Sequence, residues 1–572
     1  MKKIILFLSL SLLISTTSCS DFLDVNDNQN KALYSQLKPS ELLGAAQASV
    51  YDFQATTLNE YGNVQTNAWA GNVAQYGNVY PNYYQFILTP QFGAGIWGSL
   101  YSGVNNFVKI SSVANTDHKN DNYVAASLIC KVHYMQYIVD LYGDCPFTGA
   151  FLGTSSGANL TPTYNDDQRI YRLLIADLES AKNLILAANP TAESIAGADV
   201  MLAGVMSDWY AFADTIELRM LLRMSNFAAA TPAGIWRDAK LVNLVSDAAA
   251  APGNPYLVTD VSINPGYSKA TPDTLSPFYQ FVGRGNNPVA PADTQNWSFI
   301  TTSGHAYKCM NTYAAFAGGP NNSTLLATGL NYPNVSDPRY ARMTRNGTQQ
   351  TVRRAVTQGS TNVDVFASGV PGAPAKGCQG NGILNPYGLI TVVGSFADYG
   401  AANGYVMTKA EAFFIFAEAG LRGYAGFTPA NAIINYNSGI DASFEYLQGP
   451  TFSSIGYKGA IANKIGFSML AAGATPSQKL QGLMYQKWVA LMGIHGVESY
   501  LDYLRTGFPI TPLPIVPNGG SLPYTNRPYR LMYPQSELIA NGVNTIPITD
   551  AECFSINSKS PFWLQGNPVL GN

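Results

Sequence analysis

Apolar residues recur at helical spacing through long stretches at both ends of the chain. Ile170 to Ala188 reads IYRLLIADLESAKNLILAA, and Leu174, Leu178, Ala181 and Ile185 fall on one face of the helix this predicts. Tyr123 to Tyr142 (YVAASLICKVHYMQYIVDLY) is apolar on nearly every side, the pattern of a helix buried all round. Met201 to Phe227, Tyr405 to Tyr424 and Ser477 to Leu504 continue the period. Between about 230 and 400 it gives way to Gly, Pro, Asn and Ser between short apolar runs, as in NPGYSKATPDTLSP and AGGPNNSTLLATG. The chain is therefore predicted to be mostly α, with a loop-rich, irregular region containing a few short strands. Binding residues gather on loops held by a rigid scaffold, which makes that region the expected ligand-binding part.

The first apolar run is of another kind. Lys2 and Lys3 precede eleven apolar or small residues, Ile4 to Ile14, and then Ser15 to Ser18 lead into Cys19. Such a run is too short to span a bilayer and reads as an export signal. A cysteine directly after small residues is similar to a bacterial lipoprotein signal, in which Cys19 carries the lipid, although Thr16 stands where Leu is commonest. The expected organisation is a signal peptide at 1–18, a lipidated tether at 19–40, an N-terminal helical scaffold with an aromatic loop at 41–230, the loop-rich ligand-binding region at 231–400, and a C-terminal helical region and tail at 401–572.

Composition narrows the function. A net charge of −3 with 12% charged residues lacks the basic footprint that nucleic acid requires. Its 35 Tyr and 7 Trp, beside frequent Asn, instead suit neutral polyhydroxylated or peptidic ligands. Cys130, Cys145, Cys309, Cys378 and Cys553 show no C-x-x-C spacing, and the four His are not spaced as a metal pair, so no metal or cofactor is expected. DVNDNQN from Asp24 lacks the Gly and Glu of a calcium loop and reads as polar tether.

Several segments, in order, carry a resemblance. WYAFADTIELRMLLRMS at 209–225, LYGDCPFTGA at 141–150, SDPRYARM at 336–343, MTKAEAFFIFAEAGLRGY at 407–424, YQKWVALMGIHGVESYLDYLRTGFP at 485–509 and RLMYPQSEL at 530–538 together resemble the SusD/RagB-like nutrient-binding lipoproteins. Departures include Cys145 and Phe147 in the second segment, and Tyr500 and Leu504 where the family usually has Trp and Arg. The resemblance implies a tetratricopeptide-like scaffold of helix pairs and a lipoprotein on the outer face of the outer membrane. It also implies a SusC-type TonB-dependent transporter as partner and a glycan or peptide as ligand. Within the matched segments, Asp337-Pro338-Arg339 reads as a turn, and Glu411, Glu418, Glu498, Asp502 and Arg505 read as ion pairs within a helix stack.

Ligand contacts are expected in aromatic segments without helical period. The first is NAWAGNVAQYGNVYPNYYQF, with Trp69, Tyr76, Tyr80, Tyr83 and Tyr84. The second is NWSFITTSGHAYKCMNTYAAF, with Trp297, His305, Tyr307 and Tyr313. Aromatic faces stack on sugar rings while amides bond hydroxyls, so rings serving this role are expected to face solvent in the free protein. Trp97 and Tyr101 read as core. No catalytic residues are expected. Two other classes compete: a surface-anchored glycoside hydrolase, which needs two carboxylates about 5 to 9.5 Å apart, and a non-catalytic helical-repeat scaffold or adhesin.

Overall fold

In a computed structural model of the chain, the residues described are 37–71, 81–152, 159–268, 270–282, 300–311, 332–345, 354–359, 364–365, 383–384, 401–448, 453–516 and 520–566. The principal helices are α1 (Pro39–Phe53), α2 (Asn59–Gln65), α3 (Ala94–Ser111), α4 (Asp121–Tyr142), α5 (Asp167–Ala187), α6 (Met206–Arg223), α7 (Pro232–Asp247), α8 (Gly304–Met310), α9 (Lys409–Leu421), α10 (Pro429–Gln448), α11 (Pro476–Leu491) and α12 (Gly496–Thr506). Consecutive helices pack side by side, α3 on α4, α4 on α5, α5 on α6 and α9 on α10, while α12 returns to lie on α2. Short strands pair between distant segments: β1 (Trp69–Gly71) with β3 (Ile300–Thr302), and β2 (Val261–Ile263) with β4 (Gly404–Met407), each antiparallel.

The helix boundaries follow from local chemistry. Asp166 caps α5 by accepting from Arg169 N at 2.7 Å, Thr408 caps α9, and Thr475 with Gln478 forms a reciprocal box at the start of α11. On α5 the expected stripe Leu174, Leu178, Ala181 and Ile185 is buried, and α4 is buried on almost all sides. The period from Ser477 to Leu504 divides into α11 and α12, because the chain turns at Gly493, whose φ of +77° suits glycine. Helix α7 lies inside the stretch expected to be loop-rich. Thr231 accepts from Gly234 N and Pro232 occupies the first turn, a start signal that the polar composition around it masks.

Every residue of α6 from Trp209 to Arg223 is buried, including four charged ones, and these are neutralised from neighbouring helices. Lys182 of α5 reaches Asp214 and Glu217 at 2.8 Å each. Arg219 meets Glu411 and Glu498 at 3.3 Å, while Arg223 meets Glu498 at 2.7 Å and Asp140 at 3.2 Å. Arg505 joins Glu418 at 2.5 Å and Asp502 at 2.7 Å, and Lys487 also reaches Asp502 at 2.7 Å. The carboxylates of the matched segments therefore pair mostly across helices, tying α4, α6, α9, α11 and α12 together. Burial alone would raise the Glu498 carboxyl, but Arg219 and Arg223 hold it well below the usual range. Arg339 pairs with Asp337 at 2.7 Å within the turn expected there.

Helices α2 and α12 approach so closely that a Cβ on Gly62 would lie 2.0 Å from the Gly496 carbonyl carbon. Asn59 and Asn63 stitch this crossing through Gly493 and Gly496 backbone groups at 2.9 to 3.1 Å. Trp97 and Tyr101 pack together at 4.7 Å, with Trp97 in the core as expected. Cys130, Cys145, Cys309 and Cys553 are buried free thiols, while Cys378 lies outside the described residues.

Candidate functional site: an aromatic platform with two cavities

The two aromatic segments singled out in the sequence meet through β1 and β3, which pair Trp69 with Thr302 and Gly71 with Ile300. The junction is cross-braced. Gln358 Nε2 donates to the Val64 and Trp69 carbonyls at 2.8 and 2.7 Å, and Gly71 N donates to the Tyr84 hydroxyl at 2.7 Å. The Ser303 hydroxyl donates to the Asn67 carbonyl and accepts from Ala306 N, starting α8.

This meeting place is more deeply buried than expected. Trp69 is 0% exposed, Tyr84 2% and Tyr307 5%, so none is the solvent-facing ring anticipated from its Asn-rich neighbourhood. Both faces of β1 are covered. Phe278 stacks on Trp69 at 6.3 Å, and Trp69, Tyr84, Tyr307, Tyr340, Tyr485 and Trp488 share one apolar cluster. Tyr83 is half-buried against Tyr61 and Phe92. Tyr76, Tyr80, Trp297 and Tyr313 lie outside the described residues, as does Cys19. The neighbouring Asn67 serves the backbone, its Nδ2 donating to the Pro512 carbonyl at 3.0 Å.

Two cavities flank the aromatic cluster. On the Phe278 side a space of about 190 Å³ is walled by Tyr51, Asn59, Asn403, Tyr405 and Tyr446. There Tyr405 and Tyr446 meet edge to face at 4.8 Å. Asn59 is already engaged with Gly493 and Gly496, and Asn403 accepts from Asn264, which leaves this wall few free polar groups. The second space, about 270 Å³, is lined by His305, Tyr332, Phe467, Gln478, Gln481 and Tyr485. Phe467 and Tyr485 cross at 84° and 4.9 Å, the Tyr485 hydroxyl donates to the Cys309 carbonyl at 2.8 Å, and His305 Nδ1 lies 3.3 Å from the Tyr332 hydroxyl. Gly466, at φ +82°, leaves room for the Gln481 amide, which a Cβ there would meet at 2.9 Å. Rings beside amides can stack on a sugar and bond its hydroxyls. Of these residues sequence reasoning named only His305; the others come from helices, or from segments with no aromatic cluster of their own.

Burial, then Arg527 and Lys308, push the His305 imidazole down to about 3, so it is neutral at ordinary pH. The Cys309 thiol, 3.6 Å from His305 Nε2, is pushed far above its usual value by burial and stays protonated, which makes it no nucleophile. Among the described residues one acidic trio could hold a cation, Asp144, Asp166 and Asp167. Its oxygens are occupied by structure: Asp144 accepts from Asp167 N, Asp166 caps α5, and Asp167 accepts from Gln168 N and Phe562 N.

The scaffold is mostly helical and carries an aromatic and amide-lined face. The chain belongs to the SusD-like family described as starch-binding and associating with the outer membrane, whose model matches residues 30–248 and 336–534. No curated protein matches significantly. Among solved structures, a chitin-binding SusD homolog from Flavobacterium johnsoniae is similar at 20% identity and a TM-score of 0.62, covering 92% of this chain and 97% of that one. A SusD-like protein from Bacteroidetes gives 20% and 0.62 over 92% and 99%. A SusD homolog from Parabacteroides distasonis gives 17% and 0.61 over 88% and 93%. These likenesses show the fold. Among the described residues no helix is long and apolar enough to cross a membrane.

Proposed function

We propose that this protein is a cell-surface lipoprotein, held in the outer membrane through Cys19, that captures a glycan and hands it to a SusC-type TonB-dependent transporter without performing chemistry on it. Family membership over both helical blocks carries the reading, since the family is described as starch-binding and outer-membrane-associated. Two structural neighbours are described as chitin-binding, which favours a glycan over a peptide. In this reading Tyr76, Tyr80, Trp297 and Tyr313 contact the ligand, while Trp69, Tyr84 and Tyr307 build the buried junction between the two segments and Tyr83 packs at its side. Supporting this is covalent connectivity: Gly71 and Ile300 end the paired strands, and Tyr76 and Trp297 lie only a few residues beyond them in sequence. Calorimetric titration of the protein with malto- and chitooligosaccharides tests the capture step, and Trp297→Ala should weaken it about tenfold. Affinity capture from solubilised outer membranes tests the partner. Absence of any glycan binding, together with repeated recovery of the lipoprotein without a barrel, would refute the proposal.

A further inference from the structure

The smaller cavity is built where two backbone irregularities meet. Helices α1 and α2 are joined by a single π turn, Gln54–Leu58, in which Asn59 N reaches back five residues to the Gln54 carbonyl. Strand β4 carries a bulge: Gly404 pairs with Ile263, Tyr405 with Ser262 and Met407 with Val261, which leaves Val406 without a partner on β2. The two irregularities are tied together. Gln54 Nε2 donates to the Val406 carbonyl at 2.9 Å, and Tyr405 N donates to the Tyr51 hydroxyl at 2.9 Å. Gly404 makes room for the Tyr51 ring, which a Cβ there would meet at 2.2 Å.

Pi turns and bulges both interrupt regular hydrogen bonding, and both recur beside functional sites. Here both shape one wall. An unbroken strand would turn Tyr405 and Met407 to the same side, whereas the bulge buries Met407 at 1% exposure and leaves Tyr405 half-buried at the cavity. Tyr51, Ala55 and Asn59, four residues apart through the π turn, line the same space.

What they enclose is aromatic and uncharged. Tyr405 and Tyr446 meet edge to face and share the wall with Phe278 and Tyr51. Among the described lining residues there is no Asp, Glu, Lys, Arg or His. The Tyr405 and Tyr446 hydroxyls make no hydrogen bond among the described residues. Burial raises the Tyr405 phenol to about 12 and lifts Tyr446 well above its usual value, so both keep their protons and can donate as well as accept. A charged group entering here would find no counter-ion, and a purely apolar one would leave the phenols unpaired. An engineered cavity of about 150 Å³ holds one benzene ring. The space of about 190 Å³ therefore has room for a single six-membered ring with its hydroxyls.

We propose that this cavity is a second sugar-binding site, taking one neutral pyranose ring of the captured glycan among Tyr51, Phe278, Tyr405 and Tyr446, with the Tyr405 and Tyr446 phenols bonding its hydroxyls. The inference rests on the glycan-binding reading and adds to it a site built from none of Tyr76, Tyr80, Trp297 and Tyr313.

The test is calorimetric titration of the full protein with maltotetraose, chitotetraose, xylotetraose and trigalacturonate, repeated on Tyr405→Phe combined with Tyr446→Phe, and separately on Trp297→Ala. The Phe pair removes two hydroxyls that bond nothing among the described residues and keeps both rings, so its melting temperature should match wild type. It should bind the neutral tetraose about tenfold more weakly, the loss expected when two hydrogen bonds to the ligand disappear, and leave trigalacturonate unaffected. Restoring either hydroxyl alone should recover part of the loss. Unchanged neutral affinity in the Phe pair would overturn the inference whatever Trp297→Ala shows, and leave glycan capture standing; binding of no oligosaccharide by the wild type would fell both. A melting temperature lowered by the Phe pair would show that the hydroxyls serve the fold and would also overturn the inference, as would a loss confined to trigalacturonate.

Discussion

Removing the Glu498 carboxylate should unlock the helix stack. Glu498 is fully buried between Arg223 at 2.7 Å and Arg219 at 3.3 Å. In Glu498→Leu both guanidinium groups stay inside the core with one counter-charge fewer. Breaking a buried pair from one side costs about 3 to 5 kcal/mol. Arg219 retains Glu411 at 3.3 Å and Arg223 retains Asp140 at 3.2 Å, so the expected loss lies near the lower figure, about 3 kcal/mol. Urea unfolding followed by circular dichroism measures it, and adding Arg223→Met to the Leu variant should restore part of the loss, because the stranded charge goes with it. The pH dependence has a definite sign. Arg219 and Arg223 depress the folded-state value of Glu498, so its contribution is present above the unfolded value and lost as pH falls through the folded one. The gap between wild type and Glu498→Leu should therefore stay level from neutral pH down and narrow only below about pH 4. A loss under about 1 kcal/mol, or a double variant no more stable than the single, would refute the reasoning.

Trp69→Ala should destabilise the protein by about 3 to 5 kcal/mol, since it empties a fully buried indole site, whereas a solvent-facing ring would leave the melting temperature unchanged. Gly62→Ala should cost about 3 kcal/mol or more in the same urea assay, because the new methyl meets Gly496 backbone rather than a movable side chain; near-neutrality would show that α2 and α12 slide freely. Asp167 has its carboxyl raised to about 7 by burial and then by Asp144, so the folded state takes up the proton first and stability should rise as pH falls from about 8 towards 5. Melting curves across that range should lose this component of the slope in Asp167→Asn, and an unchanged slope would rule Asp167 out as its source.

How much of this was legible in the sequence depends on how far apart the partners lie. The stripe of α5 is written within one segment, and a period of 3.6 reports the buried face directly. The charges of α6 are just as plain in the sequence, but their counter-ions Lys182, Glu411 and Glu498 stand 32 to 275 residues away, so the chain shows that the charges exist and not that they cancel. Trp69 misled for a related reason. Asn around a tryptophan looks like solvent-exposed loop, yet Asn59, Asn63 and Asn67 spend their amides on backbone groups more than 400 residues along the chain, which is what allows a polar-looking stretch to be core. The larger cavity is less legible still, because His305, Tyr332 and the α11 pair Gln481 and Tyr485 come from three separate segments and none sits in a local pattern that differs from packing. Charge balance explains why the scaffold segments are so recognisable. In the helix stack each buried cation must meet an anion or the fold loses several kcal/mol, so the segments that carry those charges are tightly constrained. Among the described residues Arg527 meets no such anion and is held instead by the Pro512 carbonyl at 2.9 Å.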